Sequence, residues 1–326
     1  MSKKIISIRN LRISPPVALA PMVGLSHVAL RTLIQEEGGA GLFFTEMLAA
    51  KRLPHENELY SPLLIKGEKD RPLIHQIVIF SEQYVAPVIE KLHQVGADGI
   101  DLNMGCPAPM LRKQGGGDSL ADNPGLLIKI VKDIRKRTAL PVSVKMRLRP
   151  ENEKAKQLDF CRALEDHGVD FLTIHARLKG EKFCRKPRWS AVGQLKKGIS
   201  VPVFANGGIF TVEDARRCLQ ESGADGLMIG RGAVVRPSLL SEISYELYGH
   251  GRNVPSTSRP DLYYRFSEIL KEKIRIERRL GRLKQFTHYF ARSYQFGHHL
   301  AAAVQNSLTF EEALKNAAAF FASTSE

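Results

Sequence analysis

The sequence predicts an α/β fold, a (β/α)8 TIM barrel, with a smaller C-terminal all-helical domain. Three segments repeat one pattern, in which a helix closes at a glycine and an apolar strand follows: 94–105, 166–176 and 221–231. Gly96, Gly168 and Gly223 suit the left-handed position that ends a helix. Amphipathic stretches with apolar residues three and four apart lie between most strands, and the last quarter of the chain shows only helical periodicity.

The same pattern along the rest of the chain predicts eight strands. They lie near residues 17–20, 42–47, 73–79, 99–105, 141–147, 171–177, 201–208 and 226–231. Strands that alternate with helices pair in parallel through right-handed crossovers. Eight such units favour a barrel over a doubly wound sheet, which usually has fewer strands. The stretch 49–62, after the second strand, has no helical pattern and is expected to form a loop or short turn.

The chain divides by composition. Residues 1–248 contain the predicted barrel, and residues 248–259 are rich in Gly, Pro and Ser, which is typical of a linker. Residues 259–326 are expected to form three or so helices packed as a small bundle.

Positive charge dominates the chain and is concentrated near its end. The 48 Lys and Arg exceed the 34 Asp and Glu by 14, and residues 259–292 hold ten cations against four acids. Such a surface attracts polyanions, so nucleic acid is a leading partner, although a basic surface that serves solubility explains the total charge equally well. The aromatic residues among these cations are expected in the helical core rather than on a base-stacking surface: Tyr263, Tyr264, Phe286, Tyr289 and Tyr294.

The four cysteines are far apart and form no CxxC pair. Neither a disulfide framework nor a zinc site is predicted, and we expect no metal. The first residues lack the apolar core of a signal peptide, and no apolar stretch is long enough to span a membrane. We therefore expect a cytoplasmic protein without membrane contact.

Polar residues gather at the carboxyl ends of the predicted strands, where barrel enzymes carry their reactive groups. Lys145 and Arg147 share one face of the fifth strand, as do His175 and Arg177 on the sixth, because side chains alternate along a strand. A buried lysine is costly without a negative partner, which favours an anionic cofactor. Glu46 lies near the same mouth, where it is expected to orient substrate, cap a helix or form a salt bridge.

Glycines follow the last two strands. Gly207 and Gly208 come after the seventh strand, and Gly230 and Gly232 flank Arg231 after the eighth. Exposed backbone amides and a guanidinium at these strand ends are typical of a phosphate site in a barrel, although glycines also serve ordinary tight turns. The two turns together predict a cofactor that carries phosphate.

Cys106 follows the fourth strand directly and should open onto the barrel mouth, where a thiol can act as a general acid. Cys161 and Cys218 lie in helical stretches and are expected to be inert apolar residues. Cys184 lies among cations in the loop after the sixth strand and is a weaker alternative to Cys106.

Along nearly the whole chain, these strand ends resemble the tRNA-dihydrouridine synthases. The shared motifs are APM at Ala20-Pro21-Met22, Gln76, NxGCP from Asn103 to Pro107, Lys145, His175, NGG at Asn206-Gly207-Gly208, and GRG at Gly230-Arg231-Gly232. NxGCP is the specific element, since the others occur in several flavin barrels. The resemblance implies an FMN site formed by Pro21, Met22, Val23, Gln76, Lys145, His175, Asn206, Gly207, Gly208, Gly230 and Arg231.

The resemblance also implies the reaction. A uridine flipped out of tRNA receives a hydride at C6 from FMN that NADPH or NADH has reduced, and a proton at C5 from Cys106. Asn103 and Arg177 are expected to hold the uracil. The basic cluster adds Arg278 and Arg279 as tRNA contacts, and we expect the protein to be a monomer.

Two alternatives belong to other classes. One is a flavin barrel dehydrogenase for a small molecule, such as a dihydropyrimidine or dihydroorotate dehydrogenase. The other is a non-catalytic RNA-binding protein that keeps the barrel as a scaffold. The chain has Pro109-Met110 where many synthases carry a lysine pair, and Ala176-Arg177-Leu178 where Gly-Arg-Thr is common. Because these loops are expected to face RNA, the target uridine is not assigned.

Overall fold

The computed structural model describes residues 4–251 and 257–324. An antiparallel hairpin of Ile6–Ile8 (β1) and Leu11–Ile13 (β2) precedes a parallel sheet. The strands of this sheet are Val17–Leu19 (β3), Phe43–Phe44 (β4), Leu48–Ala49 (β5), Leu73–Val78 (β6), Gly99–Met104 (β7), Val142–Leu148 (β8), Phe171–Leu178 (β9), Val203–Asn206 (β10) and Gly226–Ile229 (β11). They follow the order β3-β11-β10-β9-β8-β7-β6-β4, and β5 pairs with β6. A bridge between Ala18 and Leu42 nearly closes the ring, which confirms the predicted barrel.

Helices lie between the strands and continue beyond them. Those of the barrel are Val28–Glu36 (α1), Val85–Gln94 (α2), Pro109–Lys113 (α3), Pro124–Arg137 (α4), Lys154–Asp166 (α5), Trp189–Lys196 (α6), Val212–Ser222 (α7), Arg231–Val235 (α8) and Leu239–Tyr248 (α9). The C-terminal helices are Arg259–Lys273 (α10), Ile276–Phe290 (α11), Gly297–Asn306 (α12) and Phe310–Ser323 (α13). The stretch 49–62 contains only the end of β5 and a 3-10 turn at Leu53–His55, in agreement with the predicted loop.

Local sequence explains where the helices begin and end. The Thr211 hydroxyl accepts a hydrogen bond from the Asp214 amide at the start of α7, which satisfies a donor that the first turn leaves free. Gly223 ends the same helix with a φ of 58°, a conformation that favours glycine. Gly96 and Gly168 also have positive φ, so the predicted closing glycines are confirmed.

Several predicted strands extend beyond the observed ones. The second, predicted over 42–47, contains only Phe43–Phe44 (β4), and the separate strand β5 follows it at Leu48–Ala49. The seventh, predicted over 201–208, ends at Asn206, because Gly207 and Gly208 have φ values of 105° and 79° that no strand contains. Both corrections fall at the mouth of the barrel, where the chain leaves regular geometry.

Apolar side chains fill the barrel interior at its lower end. Phe171 and Phe204 meet there with ring centroids 5.7 Å apart, and Phe44 belongs to the same cluster. Ile6 and Ile13 from the hairpin close this end from below. The space left inside the barrel is therefore at the carboxyl ends of the strands.

Residues 257–324 contain four α-helices, against the three or so predicted. Ile274 adopts an extended conformation and, with Arg275, separates α10 from α11, and Ile274 is buried against the core. Tyr263 and Phe286 are fully buried, which confirms core positions for them, and α10 packs along α1 of the barrel. Residues 252–256 of the predicted linker lie outside the described residues, and the boundary between domains stays a prediction.

Candidate active site

The carboxyl ends of the barrel strands surround a cavity of about 300 Å³, which α11 covers on one side. Every site residue predicted from the sequence lines this cavity except Arg177, Arg278 and Arg279. Those that line it are Pro21, Met22, Val23, Gln76, Asn103, Cys106, Lys145, His175, Asn206, Gly207, Gly208, Gly230 and Arg231. Residues far apart in the sequence thus meet in one concave site.

A chain of hydrogen bonds crosses the floor of the cavity. The buried Asp101 carboxylate accepts from the Ser143 hydroxyl and from Gln76 Nε2, each at 2.6 Å. Gln76 Oε1 accepts from Asn103 Nδ2 at 2.8 Å, and Asn103 Oδ1 accepts from the backbone amide of Cys106 at 3.0 Å. The chain links a buried carboxylate to the turn that carries the thiol.

Lys145 is the cation at this floor. Burial lowers its pKa to about 8, although Asp101 opposes that change. Burial raises the pKa of Asp101 to about 6, and hydrogen bonds from Gln76 and Ser143 limit the rise. Both groups are therefore charged between about pH 6 and pH 8, and each is held in a charged form that its burial disfavours.

Ionisation of Asp101 should lower the stability of the cofactor-free protein. Its pKa is higher in the folded chain than the ordinary 3.8, so the unfolding free energy falls as the pH rises from about 4 to about 6. Replacing Asp101 by asparagine should raise the unfolding free energy at pH 7.5 by about 3 kcal/mol, since the pKa of Asp101 rises from 3.8 to about 6 on folding. Below about pH 3 the two proteins should unfold at the same urea concentration.

Asp159→Asn is the matched control, because its carboxylate is 75% exposed on α5 and should show no such pH dependence. A variant at Asp101 that is less stable than the natural protein at pH 7.5 would mean that the ionised carboxylate stabilises the fold.

The turn after β7 presents Cys106 to the cavity. Its carbonyl oxygen accepts from the Asp118 amide at 3.0 Å, which closes the loop that contains α3. Gly117 allows this approach, since its φ is 62° and a Cβ there would lie 2.5 Å from that oxygen. Cys106 itself is half-buried, and its side chain lines the cavity.

The other cysteines are placed as predicted. Cys161 and Cys218 are buried in α5 and α7, where burial raises the pKa of each thiol to about 12. Cys184 is exposed in the loop after β9. Of the four, only Cys106 lines the cavity.

The glycine turns after β10 and β11 offer free backbone donors. Among the described residues, the amides of Gly207, Gly208 and Gly230 have no hydrogen-bond acceptor. A Cβ at Gly207 would lie 2.4 Å from the His175 ring, so a side chain there would disturb the cavity wall. Arg231 adds a half-buried guanidinium beside these amides. Such a group of donors suits an anion.

His175 and Arg177 lie at the end of β9, but only His175 faces the cavity. Burial and the nearby cations, of which Lys145 is the foremost, lower the pKa of His175 to about 2, so its imidazole is neutral. Its Nε2 accepts from Arg177 Nη1 at 3.2 Å. Arg177 Nε donates to the carbonyl oxygen of Arg185 at 2.7 Å, so this buried guanidinium holds the loop after β9.

Phe183, which the sequence did not single out, projects from that loop over the cavity. Its ring stacks on His175 at 5.9 Å and lies 4.6 Å from the guanidinium carbon of Arg231. Arg147 packs against the same ring at 5.4 Å. The loop sequence carries no periodicity that would have placed this side chain.

Helix α11 forms the roof. Gln285 Nε2 donates to the Val23 carbonyl oxygen at 2.7 Å, and Gln285 and Tyr289 both line the cavity. Arg282 Nη1 bonds Glu46 Oε1 at 2.8 Å in a largely buried ion pair. Of the roles considered for Glu46, this salt bridge is the one that the structure contains. No pattern in the sequence indicated that α11 completes the site.

The two arginines predicted to contact tRNA lie elsewhere on α11. Arg278 is exposed, and no ion pair to it occurs within the described part of the chain. Arg279 donates to the carbonyl oxygens of Ile274 and Lys271 at 2.8 and 2.7 Å, so its guanidinium closes the turn between α10 and α11. Of the two, Arg278 is the one available to an external partner.

The residues present fit an FMN molecule. The amides of Gln76 and Asn103 and the Lys145 ammonium suit the carbonyl oxygens of a flavin ring, and the free amides beside Arg231 suit its phosphate. The wall formed by residues 20–23 is mostly apolar, as a ring face requires.

Within residues 4–251 and 257–324, no three His, Cys, Asp or Glu side chains lie together as metal ligands would. No helix there combines the length and apolar character needed to cross a membrane.

Comparisons with known proteins agree with these motifs. The family model described as dihydrouridine synthase matches residues 18–325. A probable tRNA-dihydrouridine synthase 1 of Synechocystis sp. is 32% identical over 256 residues, which are 78% of this chain and 72% of that protein. The tRNA-dihydrouridine(16) synthase of Aquipseudomonas alcaligenes is 34% identical over 85% of this chain and 91% of its own. The counterpart in Pseudomonas syringae pv. tomato is 35% identical over 85% and 90%.

Solved structures share the barrel. The old yellow enzyme homologue from Zymomonas mobilis superposes with a TM-score of 0.51 at 12% identity, over 79% of this chain and 95% of its own. A 2-naphthoyl-CoA reductase complex gives a TM-score of 0.55 at 15% identity, over 74% of this chain but only about half (51%) of that protein. At such identities the likeness concerns the fold alone.

Proposed function

Because the chain belongs to the dihydrouridine synthase family, we propose that its barrel binds FMN and that Cys106 protonates the uracil ring as a tRNA uridine is reduced. Formation of dihydrouridine in tRNA is the activity that the family and its named relatives carry. The observation on which the proposal depends is a half-buried thiol in a cavity that joins a donor-rich floor to free backbone amides.

Bound FMN, once reduced by NADPH or NADH, would supply a hydride to C6 of the uracil. The neutral thiol of Cys106 gives its proton to C5, and the thiolate left behind regains a proton from solvent. Lys145 and Arg147 interact electrostatically with Cys106 and would stabilise that thiolate. A uridine must leave its base stack to reach a thiol inside the barrel.

The cavity walls have separate tasks in this proposal. Lys145 and Gln76 donate to the carbonyl edge of the flavin, and Asn103 holds the uracil. Arg231 and the free amides bind the phosphate, and residues 21–23 contact the ring face. This division follows the donors and apolar atoms that each wall offers.

The C-terminal helices are the proposed tRNA-binding region, with residues 259–326 as its extent and residues 1–248 as the catalytic barrel. Their positive charge suits a phosphate backbone, whereas a small substrate needs no such surface. We propose that the protein works as a monomer in the cytoplasm. Uridine 16 is the first candidate target, because several relatives carry that position in their names.

Charge reversal at Arg278 should weaken tRNA binding. Arg278→Glu removes an exposed cation from α11, so the affinity for unmodified tRNA should fall and its log–log salt slope should drop by about one. NADPH oxidation by the bound flavin should be unchanged. Fluorescence titration of tRNA at several salt concentrations measures both quantities.

Lys136→Glu is the control, since it makes the same charge change in the last turn of α4. That turn precedes β8 and therefore lies at the barrel end opposite the cavity. Equal losses for the two variants would argue that the helical region has no special part in tRNA binding.

The proposed function is tested by supplying purified protein, FMN and NADPH with unmodified tRNA or with free uridine. We expect a yellow protein that converts tRNA uridine and leaves the free nucleoside almost untouched. Rapid reduction of free uridine would favour a small-molecule dehydrogenase, and a colourless protein that takes up no FMN would contradict the cofactor.

A further inference from the structure

Asp101 lies beneath the site without lining it. It is fully buried in β7, pairs in register with Gln76 of β6 and Ser143 of β8, and stands two residues before Asn103 on the same face of its strand. The Asp101 carboxylate accepts two hydrogen bonds, from Gln76 and Ser143, and interacts electrostatically with Lys145. A buried acid in this position requires an explanation beyond packing.

The direction of the hydrogen-bond chain follows from this carboxylate. Because an ionised carboxylate only accepts, Gln76 must turn its amide nitrogen towards Asp101. Its oxygen then faces Asn103, which has to donate through Nδ2. The oxygen of Asn103 is left to accept from the backbone amide of Cys106. One acceptor-only group thus fixes the orientation of two amide side chains and of the turn beyond them.

We propose that Asp101 is a positioning residue, whose carboxylate fixes this chain and thereby holds the turn that presents the Cys106 thiol to the cavity. The effect of Asp101 on the reaction rests on the proposed function. Its effect on the turn does not, because Asn103 Oδ1 accepts hydrogen bonds from the backbone amides of Gly105 and Cys106 in the protein without a cofactor.

Asp101→Asn tests this role with little change of size. An asparagine can donate or accept towards Gln76, since the Ser143 hydroxyl can rotate to suit either orientation, so the chain loses its fixed direction. In the cofactor-free variant, hydrogen exchange of the Gly105 and Cys106 amides should speed up by about tenfold or more. Dihydrouridine formation should slow by about tenfold while tRNA affinity is retained.

Ser143→Ala is the matched control, because it removes the other hydrogen bond to the same carboxylate and leaves Gln76 facing an acceptor. Well above pH 6, where Asp101 stays ionised although the loss of this hydrogen bond raises its pKa, Ser143→Ala should change neither the exchange of the two amides nor the rate of dihydrouridine formation. A purely structural role predicts a less stable Asp101→Asn protein, whereas positioning predicts a looser turn in a protein of equal or greater stability.

The outcomes separate this inference from the proposed function. Unchanged exchange at Gly105 and Cys106 in Asp101→Asn overturns it, and so does faster exchange with an unchanged rate. If exchange is faster in Asp101→Asn but no protein, including the natural one, forms dihydrouridine, the result would support the positioning of the turn by Asp101 and contradict the proposed function instead.

Discussion

Replacing Cys106 by alanine should slow dihydrouridine formation by about 10²–10⁴-fold, because general-acid catalysis typically contributes that much. The thiol lines the cavity beside Lys145 and Arg147, and the neighbouring His175 is neutral and lacks the proton that an imidazolium would donate. Binding of FMN and tRNA should be retained, since the turn is held through backbone atoms of Cys106. Single-turnover mass spectrometry of the tRNA product measures the rate.

Cys184→Ala is the control, because it removes an exposed thiol from the loop after β9 and should leave turnover intact. If Cys106→Ala forms product at the natural rate, another group must deliver the proton, and Lys145 or Tyr289 would be the next to replace.

Breaking the ion pair between Arg282 of α11 and Glu46 should lower the free energy of unfolding more than any other single substitution proposed for this protein. Arg282→Met leaves Glu46, which is 3% exposed, without its counter-charge, and stranding a buried charge in this way costs about 3–5 kcal/mol. Burial already raises the pKa of Glu46 in spite of Arg282. The loss of unfolding free energy in Arg282→Met should therefore be largest at pH 8. It should shrink towards pH 5, because the folded variant takes up a proton on Glu46.

The matched control is Arg278→Met, one turn earlier on α11, where the side chain is exposed and should be replaceable at a cost below about 0.5 kcal/mol. The double variant Glu46→Gln, Arg282→Met should recover most of the stability, because no unpaired charge remains. Equal urea midpoints for Arg282→Met and Arg278→Met would show that the ion pair contributes nothing. Gly24, whose amide bonds Glu46, adjoins the cavity wall, so the same pair also fixes part of the site.

The sequence predicted the barrel and most of the cavity because both depend on local patterns. Gly96 and Gly223 mark helix ends through a conformation that glycine favours, and the apolar runs after them mark buried strands. Once eight parallel strands are established, their carboxyl ends must meet, so Gln76, Lys145 and Arg231 come together without any further information.

What the sequence left unpredicted depends on contacts between distant segments. Tyr289 enters the cavity only because α10 and α11 pack against the barrel, and Phe183 does so through the path of an irregular loop. Arg177 and Arg279 have the charge that a substrate contact requires, but backbone carbonyl oxygens occupy their guanidinium groups. Such tertiary contacts leave no periodic pattern in the amino-acid sequence.

The most direct test is mass mapping of dihydrouridine in tRNA from cells that lack this protein and carry either the natural chain or Cys106→Ala. We expect that at least one tRNA position carries uridine instead of dihydrouridine in the deletion strain. The natural chain should restore dihydrouridine there, and the alanine variant should restore little or none. Dihydrouridine that is unchanged at every tRNA position after deletion would show that this protein does not form it.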